Sequence, residues 1–335
     1  MRRFIIGLSV AVLTGLIAVG LAGMYRKSAD ERPVSRTRYI MGTLMLITAY
    51  DARAERAIEA AFARMAEIEA QVGGAPGSDI SKLNTGAGKR AVKIGSDTLK
   101  ILSMARRYAK ITGGAFDVTV GPLVELWGFG YGGAGRLAGS DEVARVMPLI
   151  GEDKLWLDPD TGLARLAKPG MSLAMGGIAK GYAVEEAVKV LRAKGVKNAI
   201  VNGGNSSVKV IGHSTHGRDW RVGIEDPRHS GKMLGVLTLR SGQALGTSAD
   251  DRRFFVRNGR RYSHLIDPRT GYPSRKGLAQ VTVVTADAAA ADILTKAFFL
   301  NGVAWSMQFA RENNMEAILV DNRDQITATP GVTLD

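Results

Sequence analysis

Helical and strand patterns alternate through residues 37–335 without an internal linker, and this alternation constrains the fold most strongly. Residues 52–71 place Ile58, Phe62, Met65 and Ile68 at the spacing of one helix face, which predicts an amphipathic helix. Three further helices are predicted: one from an N-cap at Ser96 through Tyr108, one over 178–194 that ends at a C′ Gly195, and one over 287–301. Strands are predicted over 44–50, 198–202, 206–212, 220–225, 234–240, 279–286 and 316–320, the last of them. We therefore expect one α+β domain.

Composition excludes several kinds of site. The chain has no cysteine, which rules out disulfides, thiolate metal sites and a cysteine nucleophile. The formal charge of +13 predicts a surface that attracts phosphates, acidic proteins or anionic lipid. Because no basic motif is interleaved with aromatic residues, no nucleic-acid partner is expected.

The N-terminus has the pattern of an export segment. Met1 to Arg3 are basic, and Phe4 to Gly23 carry no charge over a length that could cross a bilayer core of about 30 Å. Residues 1–23 are either a signal peptide cut before Gly23 or a retained inner-membrane anchor, and residues 24–36 read as a polar tether. Both alternatives place the rest on the periplasmic side of a bacterial inner membrane.

Four glycine-bearing clusters interrupt the helices and strands: residues 113–117 (GGAFD), 176–182 (GGIAKGY), 202–205 (NGGN) and 264–273 (HLIDPRTGYP). In the second cluster, paired glycines precede a helix whose first N–H groups would favour an anion, and Lys180 adds a positive charge. Alternatively, the same residues form an ordinary glycine-rich turn with a solvated lysine. The spacing matches neither a Walker A nor a Rossmann fingerprint.

His264 precedes a turn signalled by Asp267-Pro268 and closed by Gly271. A neutral imidazole can act as a general base for a hydroxyl near neutral pH, but a lone histidine is more often structural. Both readings of His264 stay open on the residues alone.

Taken in order, these segments resemble one family across 37–335. The motifs are Met41-Gly42-Thr43, SDISKLN (78–84), GGAFDVTVGPL (113–123), GGIAKGYAVE (176–185), NGGN (202–205), WRVGIEDP (220–227), Thr247-Ser248, HLIDPRTGYP (264–273) and Ala291-Asp292. Together they are similar to the ApbE family of FAD:protein FMN transferases, whose fold is α+β and related to the T-fold.

The resemblance implies an activity and a set of site residues. Members take FAD as substrate, use Mg²⁺, and transfer FMN to a Thr or Ser hydroxyl of an exported target flavoprotein, releasing AMP. By motif, His264 would be catalytic. The expected FAD-binding residues are Met41, Ala115, Phe116, Asp117 and Lys180, and the expected metal ligands are Asp292, the Gly177 backbone and Thr295.

The chain departs from the family pattern at four places. Ala174 and Asn205 each stand where the family has an aspartate, residues 73–75 replace a tyrosine-bearing stretch, and Lys296 stands where a threonine is expected. Lys296 lies one helical turn after Asp292 and could pair with it. The ammonium could stand in for part of the Mg²⁺ charge, the metal and transfer could be lost, or Thr295 could replace the missing ligand.

Three functions follow from these observations. The first is an exported FMN transferase, and the second is an exported FAD-binding accessory or carrier protein that has lost transfer. The third is an unrelated surface protein that binds polyanions through its basic charge. Arginines cluster at positions 252, 253, 257, 260 and 261 beside His264. They would suit a diphosphate or an acidic partner, or simply form a solvated basic hairpin.

Overall fold

The protein is described here by a computed structural model that covers residues 33–51, 54–130 and 132–335. The predicted signal or anchor (1–23) and residues 24–32 of the predicted tether lie outside these residues. Within them, no helix combines the length and apolar character needed to span a membrane. Residues 34–36 of the predicted tether belong instead to the first strand.

An antiparallel sheet of eight strands forms the centre of the described chain. Its order is β1-β2-β6-β7-β10-β15-β16-β17. The strand bounds are β1 Val34–Ile40, β2 Thr43–Ala49, β6 Ala199–Gly203, β7 Ser207–Ile211, β10 Ala244–Ala249, β15 Leu278–Thr285, β16 Glu316–Asp321 and β17 Ile326–Ala328. The register pairs Gly246 with Val283 and Met45 with Gly203.

Four of the described helices pack on one face of this sheet, and the others lie against smaller elements. The helices are α1 Ala54–Val72, α2 Asp79–Thr85, α3 Ser96–Ile111, α4 Gly121–Leu126, α5 Ser140–Val146, α6 Ala179–Ala193, α7 Ala288–Asn301 and α8 Val303–Glu312. Across the sheet, α1 contacts β1 and β2, α6 contacts β6 and β7, α7 contacts β7, β10 and β15, and α8 contacts β16. Apolar side chains of these helices and the inner strand positions form the main core.

The opposite face of the sheet is covered by a hairpin, β8 Trp220–Glu225 and β9 Met233–Leu239. Trp220, Leu237 and Leu239 of this hairpin pack with Val208 and Leu245 of the sheet. The sheet is therefore buried on both sides, which explains why every residue of β7 is buried.

Shorter strand pairs complete the fold. They are β3 Val92–Lys93, β4 Leu155–Asp158 and β5 Leu163–Leu166 in one small sheet, the hairpin β11 Phe254–Arg257 with β12 Arg260–Ser263, and the pair β13 Ile266–Asp267 with β14 Tyr272–Pro273. A separate apolar cluster around Leu123 and Trp127 supports the β13–β14 pair through Ile266. This pair frames the turn that follows His264.

The observed elements confirm the predicted α+β class and most strong patterns. The helices predicted over 52–71, 178–194 and 287–301 begin and end within two residues of those bounds. Ser96 is the first residue of α3 rather than its N-cap, which is Gly95. The predicted last strand at 316–320 is followed by β17. The arginine-rich segment near 252–261 overlaps the hairpin β11–β12.

Candidate functional site

Helix α7 carries the candidate site in the middle of the molecule. The helix reads AAAADILTKAFFLN, and Asp292 and Lys296 are the two charged residues in it. An otherwise apolar helix is expected to be buried on all sides, and Asp292 is fully buried. Lys296, four residues on, donates a hydrogen bond from Nζ to Asp292 Oδ1.

The second carboxylate oxygen of Asp292 faces the start of helix α6. The Gly181 N–H donates to Asp292 Oδ2 at 3.1 Å. The anion predicted for the N-terminus of this helix is thus supplied, at Gly181, by the protein itself. Burial disfavours the charged carboxylate, but the charges of Lys296 and Lys180 outweigh it and hold the pKa of Asp292 below its ordinary value.

Two glycines let the backbone of α7 approach its neighbours at Asp292. A Cβ at Gly181 would lie 2.3 Å from the Ala288 carbonyl oxygen, and one at Gly246 of β10 would lie 2.6 Å from the Ala291 carbonyl oxygen. Neither contact leaves room for a side chain. The glycine in GGIAKGY therefore brings helix α6 against α7, where its N–H reaches Asp292.

The hydroxyl of Thr295 is used within the protein. Thr295 Oγ1 donates to the Asp292 carbonyl oxygen at 2.8 Å and lies 2.8 Å from Ser248 Oγ of β10. Thr295 is fully buried. Its hydroxyl therefore ties α7 to the sheet.

Lys180, in the first turn of α6, belongs to the same group of charges. Its positive charge lowers both the pKa of Asp292 and the pKa of His264. Burial lowers the pKa of Lys296, Asp292 opposes that effect, and Lys180 adds to it. The charges of Lys180 and Lys296 thus act on both Asp292 and His264.

His264 follows β12, and a backbone carbonyl orients its ring. Nδ1 lies 3.1 Å from the Arg253 carbonyl oxygen, which also accepts the His264 backbone N–H at 3.0 Å. Because a carbonyl can only accept, Nδ1 carries the hydrogen and Nε2 carries the lone pair. Burial, together with the nearby charges of Arg253, Lys296 and Lys180, lowers the pKa of His264 to about 4.

The turn after His264 is anchored to the end of α7. Arg269 donates to Asp267 at 2.7 and 2.9 Å, to the Leu300 carbonyl at 3.1 Å and to Asn301 Oδ1 at 2.7 Å. Trp127 Nε1 donates to the Gly271 carbonyl at 2.8 Å. The DPRTG segment thus holds the chain that follows His264 against the helix that carries Asp292.

The predicted FAD-binding residues of the GGAFD segment are buried. Ala115, Phe116 and Asp117 are at most 7% exposed. The Asp117 Oδ1 atom accepts both the N–H and the hydroxyl of Thr119 at 2.8 Å, and burial raises the pKa of this carboxyl. The Phe116 ring lies against Gly177, where a Cβ would be 2.9 Å from the ring.

Met41 lies elsewhere, in the turn between β1 and β2 at one end of the sheet order. Its φ is +54°, and its N–H donates to Glu69 Oε1 of α1 at 2.7 Å. This hydrogen bond connects the turn to helix α1. A contact between Met41 and FAD stays a prediction from the resemblance.

Asp292, the one carboxylate among the three predicted magnesium ligands, does not fit a metal ion in this arrangement, and the Thr295 hydroxyl is also engaged within the protein. Asp292 offers one oxygen to an ammonium and the other to a backbone N–H, and the Thr295 hydroxyl is bonded to Ser248. No group of three or more His, Asp or Glu side chains suited to a metal occurs in residues 33–51, 54–130 and 132–335. Mg²⁺ prefers a near-octahedral shell of oxygens, and an adjacent ammonium repels it.

One feature of the site could not be found from the sequence. The group that orients His264 is the backbone carbonyl of Arg253, eleven residues earlier, and any residue type supplies a carbonyl. The arginine side chain marks the position only indirectly, through its hydrogen bond to the Phe129 carbonyl. The ion pair of Asp292 and Lys296, by contrast, follows from their i, i+4 spacing.

Comparison with known proteins identifies the family. The ApbE family profile matches residues 41–319. An FAD:protein FMN transferase of Haemophilus influenzae is 30% identical over 93% of this chain and 94% of its own length, and one of Klebsiella pneumoniae is 32% identical over 90% and 94%.

Solved structures give the same result. The ApbE protein of Thermotoga maritima superposes with a TM-score of 0.82 at 29% identity, over 89% of this chain and 97% of that one. The apo flavinyl transferase ApbE of Pseudomonas stutzeri gives 0.79 at 28% identity, over 89% and 95%. The chain therefore belongs to the ApbE family.

Proposed function

We propose that this protein is an FAD:protein FMN transferase that works on the periplasmic side of a bacterial inner membrane. Its relatives from Haemophilus influenzae and Klebsiella pneumoniae carry the name FAD:protein FMN transferase. The site offers what such a transfer needs, namely a base for a hydroxyl and positive charge for a diphosphate.

The observation that carries the proposal is the state of His264. The Arg253 carbonyl holds Nδ1–H, so Nε2 is the basic atom, and a pKa of about 4 keeps the ring neutral at neutral pH. Lys180 and Lys296 lie close enough to His264 to lower its pKa. A neutral base beside two cations suits a hydroxyl that attacks an anionic phosphorus centre.

The reaction can be written with these residues. The hydroxyl oxygen of a Thr or Ser in the target protein attacks the phosphorus on the FMN side of the FAD diphosphate. The bond from that phosphorus to the bridging oxygen breaks, AMP leaves with that oxygen, and the hydroxyl proton passes to His264 Nε2. Lys180 and Lys296 would stabilise the negative charge on the phosphate oxygens. The product is a phosphoester between FMN and the target.

The proposed location depends on the N-terminal sequence. Basic residues 2 and 3 precede the uncharged stretch from Phe4 to Gly23, a pattern typical of a signal peptide or an inner-membrane anchor. The proposed partner is therefore an exported flavoprotein that offers a Thr or Ser hydroxyl, with the inner membrane as a second contact if the segment is retained.

Intact mass spectrometry tests the proposal directly. The purified full-length protein is incubated with FAD and a target domain that the Klebsiella relative modifies, and AMP release is measured in parallel. A mass gain of one FMN on the target with equal AMP supports the transferase. Absence of both, in samples where the relative modifies the same target, contradicts it.

The second candidate function is an exported FAD-binding carrier without transfer activity. It is favoured by the engagement of Asp292 with Lys296 and by the absence of a carboxylate at Ala174. The same experiment separates the two candidates. Stoichiometric FAD binding with no mass gain on the target supports the carrier.

A further inference from the structure

The ion pair of Lys296 and Asp292 has a consequence for the cation requirement of the proposed transfer. This inference rests on the proposed function. The pair lies where the resemblance expects a metal ion, and its two partners are on consecutive turns of α7, a helix buried between α6 and the sheet. The position of the ammonium is thus fixed by the fold rather than by a flexible loop.

Both oxygens of the Asp292 carboxylate already have cationic or polar partners. Lys296 Nζ takes Oδ1, and the Gly181 N–H takes Oδ2 at 3.1 Å. Because Asp292 is fully buried, an ionised carboxylate needs such compensation. A divalent ion could bind there only after it displaced Lys296 and left a second buried cation beside it.

The predicted side-chain ligand Thr295 is already held by two hydrogen bonds within the protein. Thr295 Oγ1 is held between the Asp292 carbonyl and Ser248 Oγ, both at 2.8 Å. Thr295 therefore points toward strand β10. For Thr295 to replace the missing family threonine at 296, the one lone pair that these two hydrogen bonds leave on Oγ1 would have to face the ion.

Lys296 has capacity left for a ligand. An ammonium has three N–H groups, and within the described residues Asp292 is the one hydrogen-bond partner of Lys296. The Lys296 side chain is 16% exposed, while that of Asp292 is fully buried. Its charge also reaches His264, the proposed base. Two N–H groups of the Lys296 ammonium therefore have no hydrogen-bond partner within the described residues.

We propose that the Lys296 ammonium takes the place of a metal ion in this protein, so that flavin transfer does not require Mg²⁺. The Lys296 ammonium then neutralises the charge of Asp292 and binds the diphosphate of FAD as a cation that belongs to the chain. Lys180 supplies the second positive charge.

Chelation tests the metal requirement. The full-length protein is freed of divalent ions with EDTA, and the rate of FMN transfer is measured in EDTA and again with excess Mg²⁺. We expect the same rate in both conditions. A rate that disappears in EDTA and returns with Mg²⁺ would overturn the proposal.

Substitution tests the residue. Lys296→Thr removes the ammonium, and we expect the rate without metal to fall about 100-fold, as for loss of one transition-state donor. Added Mg²⁺ should recover most of that loss, because Asp292 is then free to bind it. Lys100→Thr is the matched control, since Lys100 is an exposed lysine in helix α3. A Lys296→Thr variant whose rate is unchanged in EDTA would overturn the role of Lys296.

A binding measurement separates this inference from the proposed function. Electron paramagnetic resonance of Mn²⁺ reports bound metal without any turnover. We expect no bound Mn²⁺ on the wild-type protein and one bound ion on Lys296→Thr. Bound Mn²⁺ on the wild type that Asp292→Ala removes would overturn the inference even if transfer is observed. Absence of transfer in every condition contradicts the proposed function and leaves the Mn²⁺ result to decide the site.

Discussion

At the residue scale, the proposed general base His264 leads to the most direct prediction. We expect His264→Ala to lower the rate of FMN transfer by about 10²–10⁴-fold, the usual contribution of a general base. Binding of FAD should be retained, because the expected FAD-binding residues and both lysines remain. Rates follow from AMP release, and binding follows from quenching of flavin fluorescence.

His213→Ala is the control for this change. His213 is an exposed histidine that lies 3.6 Å from Asp219, in the loop before β8. The His213→Ala variant should transfer FMN at the wild-type rate. Normal transfer by His264→Ala would show that another group accepts the proton.

The low pKa of His264 gives a second prediction. In the free protein its imidazole should titrate near pH 4, since burial and the charges of Arg253, Lys296 and Lys180 disfavour the charged ring. If FAD binds as proposed, its negative diphosphate lies beside those cations, so the pKa of His264 should rise in the complex. The base is therefore active above this pKa and is lost as the pH falls through it.

Nuclear magnetic resonance of the imidazole signals measures both values. The chain has four histidines, and the signal missing in His264→Asn identifies the one of interest. A His264 signal that titrates near 6.5 without FAD would contradict the burial argument. A pKa that FAD leaves unchanged would show that the diphosphate binds elsewhere.

At the scale of elements, the contact between helices α6 and α7 positions the site. A Cβ at residue 181 would lie 2.3 Å from the Ala288 carbonyl oxygen, so Gly181→Ala must push the helices apart. We expect a loss of about 1–3 kcal/mol in the free energy of unfolding, typical of overpacking, and weaker FAD binding. Urea unfolding measures the first quantity.

Gly74→Ala serves as the comparison for this substitution. A Cβ at Gly74 meets nothing within 4 Å, and its φ is not in the left-handed region. Its free energy of unfolding should stay within about 0.5 kcal/mol of the wild type. Equal stability of the two variants would show that α6 and α7 adjust freely at Gly181.

The elements also show how far sequence patterns reach. The helices with regular apolar spacing were predicted within about two residues, because one buried face determines them. Strand β1 was not predicted, since only its last residue is buried. Strand β10 was not predicted because it consists mainly of small residues, which allow close contact with α7. The proximity of Lys180 to Asp292 depends on packing between distant segments, which no local pattern records.

At the scale of the whole molecule, the basic charge is not a uniform binding surface. Several arginines of the β11–β12 region are used within the fold: Arg252 pairs with Glu225, Arg253 bonds the Phe129 carbonyl, and Arg261 lies 4.0 Å over the Phe254 ring. These contacts stabilise the hairpin that precedes His264. The charges that we propose for the diphosphate are instead Lys180 and Lys296, which the central helices supply.

A buried ion pair connects the sheet to both helices of the site. Lys209 of β7, 3% exposed, lies 2.7 Å from Glu185 Oε2 of α6 and 2.6 Å from the Ala286 carbonyl, and Glu185 accepts the Ala288 N–H at 3.0 Å. Lys209→Met leaves a buried carboxylate unpaired, so the free energy of unfolding in urea should fall by about 3–5 kcal/mol. Replacing Glu185 by Leu as well should recover much of the lost stability. A double variant as unstable as the single one would show that packing, rather than charge, causes the loss.

Arg36→Met is the control, because it breaks an exposed ion pair. It should change the free energy of unfolding by less than about 1 kcal/mol.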